Sequence, residues 1–244
     1  MKYKLYEVGG RIRDEFLGLK SKDIDYSVVI EGRNEYPIDE VFVAFCDQIE
    51  SEGFQIFVKT PSCFTVRAKF PKDHPHSGLD ADFVLARKEL GYVKGTRQPK
   101  VVLGTLKDDL TRRDFTINAM AKDIDGNIID LFNGQTDLQN RILRTPIDTA
   151  VSFNDDPLRI LRAMRFAITK GLDWSDEMWR TLDTFDSEKL KVVSLERKRD
   201  ELYKCFKFDT RQTITFLKTI NLYNSPLYEE MLPKGLWLEP TTKK

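Results

Sequence analysis

Two aspartates one residue apart, Asp23 and Asp25, constrain the fold of this chain more than any other feature of its sequence. They alternate with Ile24, Tyr26 and Val28. Because residues i and i+2 of a β-strand point to the same face of a sheet, a strand here would bury the apolar side chains and project both carboxylates from the other face. Paired carboxylates repel each other unless a cation lies between them. The segment therefore predicts a strand that carries a metal-binding centre.

A glycine pair precedes these aspartates. Gly9 and Gly10 follow a strand-like segment, and residues 11–17 have a helical pattern that ends at Gly18. A strand, a glycine turn and a helix start together expose backbone N–H groups that can bind an anion. Two glycines alone do not define such a site. Neither G-x-x-x-x-G-K-[ST] nor G-x-G-x-x-G is present, which excludes a P-loop or Rossmann nucleotide enzyme.

A second acidic strand is predicted in the segment LDADFVLAR, residues 79–87. Its alternation places Asp80 and Asp82 on one face and Ala81, Phe83 and Leu85 on the other. If this strand pairs beside the first one, Asp82 becomes a third acidic group at the same site.

The polar segment of residues 88–109 contains several glycines and a proline and resists assignment to regular structure, so a mobile loop over a site is one interpretation. The following segment DLTRRDFTINAMA, residues 109–121, has apolar residues at helical spacing. A helix there would bring Asp114 and Asn118 together at positions i and i+4. An ordinary amphipathic helix with surface charges is the alternative interpretation.

The bulk composition leaves the partner open. The 244 residues include 39 Lys and Arg and 39 Asp and Glu, so the net charge is zero and only local basic clusters favour a phosphate-rich ligand. Three cysteines without a C-x-x-C pair indicate a reducing compartment. With no secretory leader and no apolar run of about 18 residues, we expect a cytoplasmic protein without a membrane partner.

The C-terminal half is predicted to be helical. Asp156 as N-cap and Pro157 at the first helical position begin the segment LRILRAMRFAITK, in which Arg159, Arg162 and Arg165 form a basic ridge. An Asp with an Arg three residues on supplies an acceptor and a donor, which a base-reading site needs. Helix capping with surface arginines is the alternative. Further helices are predicted over residues 174–185, 194–206 and 211–220.

Six segments together resemble a known family. They are VGGRIRD with DID, DADFVLAR, DLTRRDFTINAMA, DLFNGQTDL, DDPLRILRAMRFA and VVSLERKRDEL. Their order and spacing over residues 6–206 are similar to those of the family that includes bacterial and eukaryotic tRNA nucleotidyltransferases (CCA-adding enzymes) and bacterial poly(A) polymerases.

The resemblance implies an α+β fold. A nucleotidyltransferase head of the polymerase-beta-like type, with a mixed β-sheet flanked by helices, is expected over residues 1–135. An all-helical neck with the base-recognition helix follows over residues 136–206, and a truncated body or short helical tail over residues 207–244. Family members commonly continue with further helical segments that grip the tRNA, so this chain resembles a short version that lacks most of the C-terminal body and tail.

The resemblance also implies site residues. Asp23 and Asp25 would bind the catalytic Mg²⁺ ions, with Asp82 as the third acidic residue. The residues implied to bind the nucleotide are Gly9, Gly10, Arg13, Arg113, Asp114, Asn118, Asp156, Arg159 and Arg162. Among these, Asp156 and Arg159 would hydrogen-bond the base edge, and Arg162 would reach phosphates. The family usually has Glu where this chain has Asp155, which keeps the carboxylate on a shorter side chain.

The implied function is template-independent addition or repair of the 3′-CCA end of tRNA from CTP and ATP, by a two-metal mechanism that releases pyrophosphate. A poly(A) polymerase and an enzyme that adds only part of CCA are alternatives in the same class. A non-catalytic RNA- or nucleotide-binding module is the alternative from another class. The RNA substrate and the oligomeric state stay open.

Overall fold

The computed structural model describes residues 1–21, 24–32, 36–92, 99–220 and 222. The chain forms two compact units. The first contains residues 1–113 and 117–135, and the second contains residues 114–116 and the part of the chain from residue 136 onward. The three-part division with boundaries after residues 135 and 206 stays a prediction.

The first unit is built on a mixed β-sheet, as expected. Among the described residues it has seven strands in the order β3-β4-β5-β2-β1-β8-β9. They are β1 (Lys2–Val8), β2 (Asp25–Glu31), β3 (Gln55–Thr60), β4 (Thr65–Lys69), β5 (Asp80–Leu85), β8 (Met120–Lys122) and β9 (Ile128–Asp130). Strands β2 and β5 are parallel, whereas the other neighbouring pairs are antiparallel. Helices of this unit are α1 (Gly10–Phe16), α2 (Ile38–Ser51) and α3 (Leu106–Thr111).

The main core of the first unit is formed by α2 and the apolar face of the central strands. Ile24, Tyr26 and Val28 are buried, as the alternation predicted. The ring of Tyr26 stacks on Phe83 of β5 at a centroid distance of 5.3 Å. Burial of this face leaves the opposite face of β2 and β5 for polar side chains.

The helix predicted over residues 109–121 is wrong. Helix α3 begins after a capping box formed by Thr105 and Asp108 and ends at Thr111. A single 3-10 turn follows at Thr116–Asn118, and β8 then pairs with β1 and β9. Because every residue from 115 to 121 is buried, burial alone does not distinguish a helix from a strand, and pairing with β1 decides the outcome.

Residues 88–109, whose sequence resisted assignment, contain regular structure in their described part. Strands β6 (Arg87–Tyr92) and β7 (Pro99–Leu103) form an antiparallel hairpin, and α3 follows. Gly104 lies so close to the hairpin that a Cβ atom there would be 2.6 Å from the carbonyl carbon of Arg87. The glycine therefore permits a close backbone approach. Residues 93–98 lie outside the described part of the chain.

The second unit is largely helical. Its elements are α4 (Gly134–Gln139), which begins at the end of the first unit, β10 (Ile142–Leu143), α5 (Thr149–Asp155), α6 (Leu158–Lys170), β11 (Asp173–Trp174), α7 (Asp176–Leu182), α8 (Leu195–Phe208) and α9 (Thr210–Thr219). Strands β10 and β11 form a short parallel pair. The four helices predicted from residue 157 onward are present with slightly different ends. No helix among the described residues is long and apolar enough to cross a membrane.

Substitution of Phe83 tests the packing that orients the two acidic strands. We expect Phe83→Ala to lower the free energy of unfolding by about 3–5 kcal/mol, because the change leaves a cavity against the rings of Tyr26, Phe54 and Phe70. Phe57→Ala removes the same ring from a half-exposed position and should cost less than about 0.5 kcal/mol. Urea denaturation of both variants measures the difference. An equal loss of unfolding free energy in the two variants would show that burial of the Phe83 ring does not stabilise the core.

Candidate active site

Two aspartates lie directly opposite each other on the polar face of the sheet. Asp25 is the first residue of β2, and its register partner on the parallel strand β5 is Asp82. Both residues are partly exposed. The two strands are neighbours in the sheet, which was the condition for Asp82 to lie at the same site as Asp25. Asp23 lies outside the described residues, so its part in the site stays a prediction.

The glycine turn lies next to this pair. Gly9 has a φ of 83° and a ψ of −145°, a conformation that is essentially restricted to glycine. A Cβ atom at Gly9 would lie 3.2 Å from Oδ2 of Asp25 and 3.3 Å from Nη1 of Arg113. The turn therefore brings the chain close to one carboxylate and one guanidinium at the same point. Gly10 begins α1, and a Cβ there would be 3.1 Å from Nη2 of Arg13.

Arg13 is buried beside this turn, with 8% of its surface exposed. Its Nη1 donates a hydrogen bond of 2.6 Å to Oδ1 of Asn118, and its Nη2 lies 2.8 Å from Oδ1 of Asp14. A buried guanidinium needs such partners, because leaving it unpaired is costly. Asn118 thus orients an arginine that is 105 residues away in sequence.

Arg113 is held by a carboxylate that the sequence analysis did not select. Asp109 is fully buried, and its Oδ2 accepts a hydrogen bond of 3.0 Å from Nη2 of Arg113 while its Oδ1 binds Arg112. Burial acts to raise the pKa of Asp109, but the charges of Arg113 and Arg112 outweigh it and hold the pKa below its usual value. The spacing of i, i+3 and i+4 in the segment DLTRR was the available signal.

The donor set suits a hard divalent cation. Asp25 and Asp82 supply carboxylate oxygens, which Mg²⁺ prefers, and their side-by-side placement gives the mutual repulsion that a cation relieves. Within the described residues, no group of three or more His, Cys, Asp or Glu side chains is placed to hold an ion. The two opposed aspartates are therefore the described residues best placed as ligands.

Asp114 and Arg162 form an ion pair within the second unit. Nε and Nη2 of Arg162 lie 2.9 and 2.6 Å from Oδ2 of Asp114, and Nη1 lies 3.5 Å from Oε1 of Glu201. Burial acts to lower the pKa of Arg162, but the neighbouring carboxylates, chiefly Asp114, outweigh it and raise the pKa above its usual value. Glu201 also binds Arg165.

The start of α6 carries the two predicted base readers. Oδ1 of Asp156 accepts a hydrogen bond of 3.2 Å from the backbone N–H of Leu158, the first residue of the helix. Its Oδ2 lies 3.6 Å from Nη2 of Arg197. Nη1 of Arg159 donates a hydrogen bond of 2.6 Å to Oγ of Ser152. Asp156 therefore accepts a hydrogen bond from the first turn of α6. Its contact with a nucleotide base stays a prediction.

Asp114 and Asn118, which the predicted helix would have brought together, bind different partners. Asn118 belongs to the first unit, where it binds Arg13, whereas Asp114 belongs to the second unit, where it binds Arg162. The first unit brings together Gly9, Asp25 and Arg113. The direct roles of these residues toward a nucleotide stay predictions.

The fold and the paired aspartates beside a glycine turn define the first unit as a nucleotidyltransferase head. The family pattern described as the poly A polymerase head domain matches residues 5–144. The chain belongs to this family.

Individual relatives support the assignment. The CCA-adding enzyme of Bacillus pumilus (strain SAFR-032) is 32% identical over 231 residues, which are 94% of this chain and 51% of that protein. The crystal structure of the Bacillus stearothermophilus CCA-adding enzyme in complex with CTP superposes with a TM-score of 0.70 at 25% identity, over 90% of this chain and 49% of that one. For the Thermotoga maritima CCA-adding enzyme complexed with tRNA_CCA, the TM-score is 0.66 at 27% identity, over 90% and 47%. The chain spans about half the length of these relatives.

Removal of the buried Asp109 charge tests how Arg113 is held. We expect Asp109→Asn to lower the free energy of unfolding by about 3 kcal/mol at neutral pH, because it leaves two arginines without their carboxylate. Since the folded-state pKa of Asp109 lies below its usual value of about 4, this stabilisation is full above that pH and is lost as the pH falls through the lower, folded-state value. Urea denaturation between pH 7 and pH 3 measures it.

The exposed Asp125→Asn substitution is the matched control. It removes the same charge from a surface turn and should change stability by less than about 0.5 kcal/mol at every pH. A loss for Asp109→Asn that does not shrink below about pH 4 would show that the carboxylate charge is not what stabilises the arginines.

Proposed function

We propose that this protein is a template-independent RNA nucleotidyltransferase that adds or repairs the 3′-CCA end of tRNA from CTP and ATP. The observation that carries this proposal is the register pairing of Asp25 with Asp82 beside the Gly9 turn and Arg113. Two carboxylates, which suit a cation, and a guanidinium, which suits a phosphate, lie together beside the central strands of the sheet. A binding module has no need to hold carboxylates beside a phosphate site.

Asp25 and Asp82, with Asp23 as a further predicted ligand, hold the metal ions in this proposal. We propose Mg²⁺, which suits carboxylate ligands and triphosphates. When bound, the ions lower the pKa of the RNA 3′-hydroxyl and stabilise the charge of the leaving pyrophosphate. The protein contributes by holding its carboxylates on two paired strands, so that the ligand oxygens are positioned before the substrates bind.

In this proposal the negatively charged triphosphate is bound by the Gly9 turn and by two arginines. The backbone of the Gly9 turn can approach it closely because no side chain intervenes. Arg113 lies at this turn, and Arg13 lies behind Gly10. Their donors clamp phosphate oxygens and orient the α-phosphate for in-line attack. Buried partners, Asp109 for Arg113 and Asn118 for Arg13, hold both guanidinium groups in place before the nucleotide arrives.

Nucleotide choice is assigned to Asp156 and Arg159. A carboxylate and a guanidinium can accept and donate hydrogen bonds to the edge of C or A without a nucleic-acid template. Contacts of this kind contribute about 1–3 kcal/mol of discrimination between bases. We propose that Arg162, with Asp114 and Glu201, supports this helix and contributes charge toward phosphates.

The relatives support these substrates. Solved structures similar to this chain are a CCA-adding enzyme in complex with CTP and another complexed with tRNA_CCA. A tRNA nucleotidyltransferase complexed with a primer tRNA and an incoming ATP analog is also similar. Because this chain spans about half the length of such proteins, substrate and product must be tested directly.

Extension of RNA by the purified protein tests the proposal. The protein is incubated with Mg²⁺, a tRNA transcript that lacks its CCA end, and CTP and ATP singly and together, and the products are resolved at single-nucleotide resolution. A stop after three additions supports CCA synthesis. A ladder with ATP alone indicates a poly(A) polymerase, and one or two additions indicate a partial enzyme. Binding of RNA without extension favours the binding module.

Substitution of the opposed aspartates tests the catalytic assignment. We expect Asp25→Asn and Asp82→Asn each to lower the extension rate by about 10³-fold or more, because losing several kcal/mol of charge stabilisation from the ions costs a factor of ten per about 1.4 kcal/mol. Asp80→Asn is the matched control, since Asp80 lies on β5 two residues from Asp82. Asp80→Asn should keep the extension rate within about threefold of the wild-type rate, which corresponds to a change of less than about 1 kcal/mol in the activation free energy. Normal extension by Asp25→Asn would remove that residue from the metal site.

Substitution of Arg159 tests nucleotide choice. We expect Arg159→Ala to reduce the preference for C and A over U and G by about tenfold, because one of the two groups that contact the base edge is lost. Lys170→Ala, which removes a positive charge at the last residue of the same helix, should leave the preference unchanged. Competition among the four nucleoside triphosphates in single-turnover extension measures it. An unchanged preference in Arg159→Ala would exclude a base-reading role.

A further inference from the structure

A row of side chains crosses four strands on the acidic face of the sheet. Asp25 of β2 is the register partner of Asp82 of β5, Asp82 is the partner of Arg67 of β4, and Arg67 is the partner of Val58 of β3. Register partners on neighbouring strands project from the same face of a sheet. The row therefore continues beyond the two carboxylates into an arginine, on the side away from β1 and the Gly9 turn.

Arg67 is only loosely bound to the carboxylate beside it. Its Nε lies 3.7 Å from Oδ1 of Asp82, which is longer than a direct hydrogen bond, and 46% of its side chain is exposed. Lys69, two residues along the same strand, lies 4.0 Å from Asp80 with the same exposure. A guanidinium carries five N–H donors in a planar fork, so Arg67 can bind a further anion from the solvent side.

An arginine lies on each side of the two carboxylates. On the β1 side, Arg113 lies at the Gly9 turn next to Asp25. On the β4 side, Arg67 lies next to Asp82. Nucleotidyl transfer to RNA brings two phosphate-bearing molecules to one set of carboxylates, namely the nucleoside triphosphate and the RNA 3′ end. If the Gly9 side holds the triphosphate, the Arg67 side is left for the RNA.

The charge of Arg67 also needs an explanation. A positive side chain next to a carboxylate that binds a divalent cation is repelled by that cation, and the carboxylate is then no longer available as its partner. An RNA phosphate at Arg67 restores the local balance of charge. Val58, which is 47% exposed, lies opposite Arg67 on the edge strand and leaves the solvent side of Arg67 open.

We propose that Arg67, with Lys69, binds the phosphodiester backbone of the last nucleotides of the RNA and so directs the 3′-hydroxyl toward Asp82. This inference rests on the proposed function and assigns one side of the same site to the RNA. Arg67 acts here as a positioning residue for the RNA, whereas the triphosphate is bound on the other side of the carboxylates.

Binding of RNA and of nucleotide can be measured separately. A fluorescein-labelled tRNA transcript without its CCA end is titrated with the full chain by fluorescence anisotropy, at several salt concentrations and without nucleotide. We expect Arg67→Ala to raise the Kd for RNA about tenfold and to reduce the slope of log K against log salt by about 0.7–0.9, the values for one lost phosphate contact with a single strand and with a duplex. The KM for CTP should change by less than about twofold, as expected for loss of an RNA contact that CTP does not make.

The matched control is Lys59→Ala. Lys59 lies on β3 next to Val58, but its ammonium lies 3.3 Å from Glu50 of α2, and its register partner is the buried Val66. The variant removes the same charge from the opposite face of the sheet and should bind RNA as wild type does. Arg67→Lys, which keeps the charge without the planar fork, should recover part of the affinity.

Three outcomes would overturn the inference. They are an unchanged Kd and salt slope for Arg67→Ala, an equal loss of affinity in Lys59→Ala, and a raised KM for CTP with unchanged RNA binding. If the wild-type protein binds RNA but does not extend it, the proposed function fails while the anisotropy result still decides the role of Arg67. If the wild type extends RNA and Arg67→Ala binds it normally, only this inference fails. Unchanged thermal unfolding midpoints verify that the variants are folded.

Discussion

The parallel pairing of β2 with β5 is the constraint on which the rest of the site depends. Only this register places Asp25 opposite Asp82. A slip of one residue would turn Asp82 toward the core and Phe83 toward the solvent, because side chains alternate between the faces of a strand. The stacked rings of Tyr26 and Phe83 oppose such a slip. Packing on one face of the sheet therefore positions the acidic groups on the other.

The arginines beside these carboxylates differ in how deeply they are buried. Asp109 is fully buried and holds Arg113 by a short contact, so that guanidinium is fixed before any ligand binds. Arg67 is half exposed and lies farther from its carboxylate. A fixed cation suits a ligand whose geometry must be controlled during the reaction, whereas a more exposed one suits a polymer that must arrive and leave. The difference in burial thus corresponds to the different roles proposed for the two arginines.

In the second unit, α6 contributes both apolar side chains to the core and arginines to an ion-pair network. The apolar side chains of α6 are buried, while Arg162 and Arg165 share the nearly buried Glu201 of α8. Removing one member of such a network leaves the others without compensation, so its members depend on each other. The carboxylate of Asp114 completes the network. This arrangement explains why Arg162 is more strongly engaged with protein carboxylates than its position on a predicted basic ridge suggested.

The sequence by itself determined the elements with a clear period or cap. The alternation around Asp25 and Asp82 predicted both strands and both faces, and the helix starts near Pro157 and Ser194 were predicted to within a residue or two. The continuous buried run up to Ala121 fits a helix and a strand equally, so only pairing with β1 decided it. Contacts such as that of Arg13 with Asn118, 105 residues apart, leave no local pattern. Tertiary structure alone decided them, because partners for buried charges are selected by proximity in space.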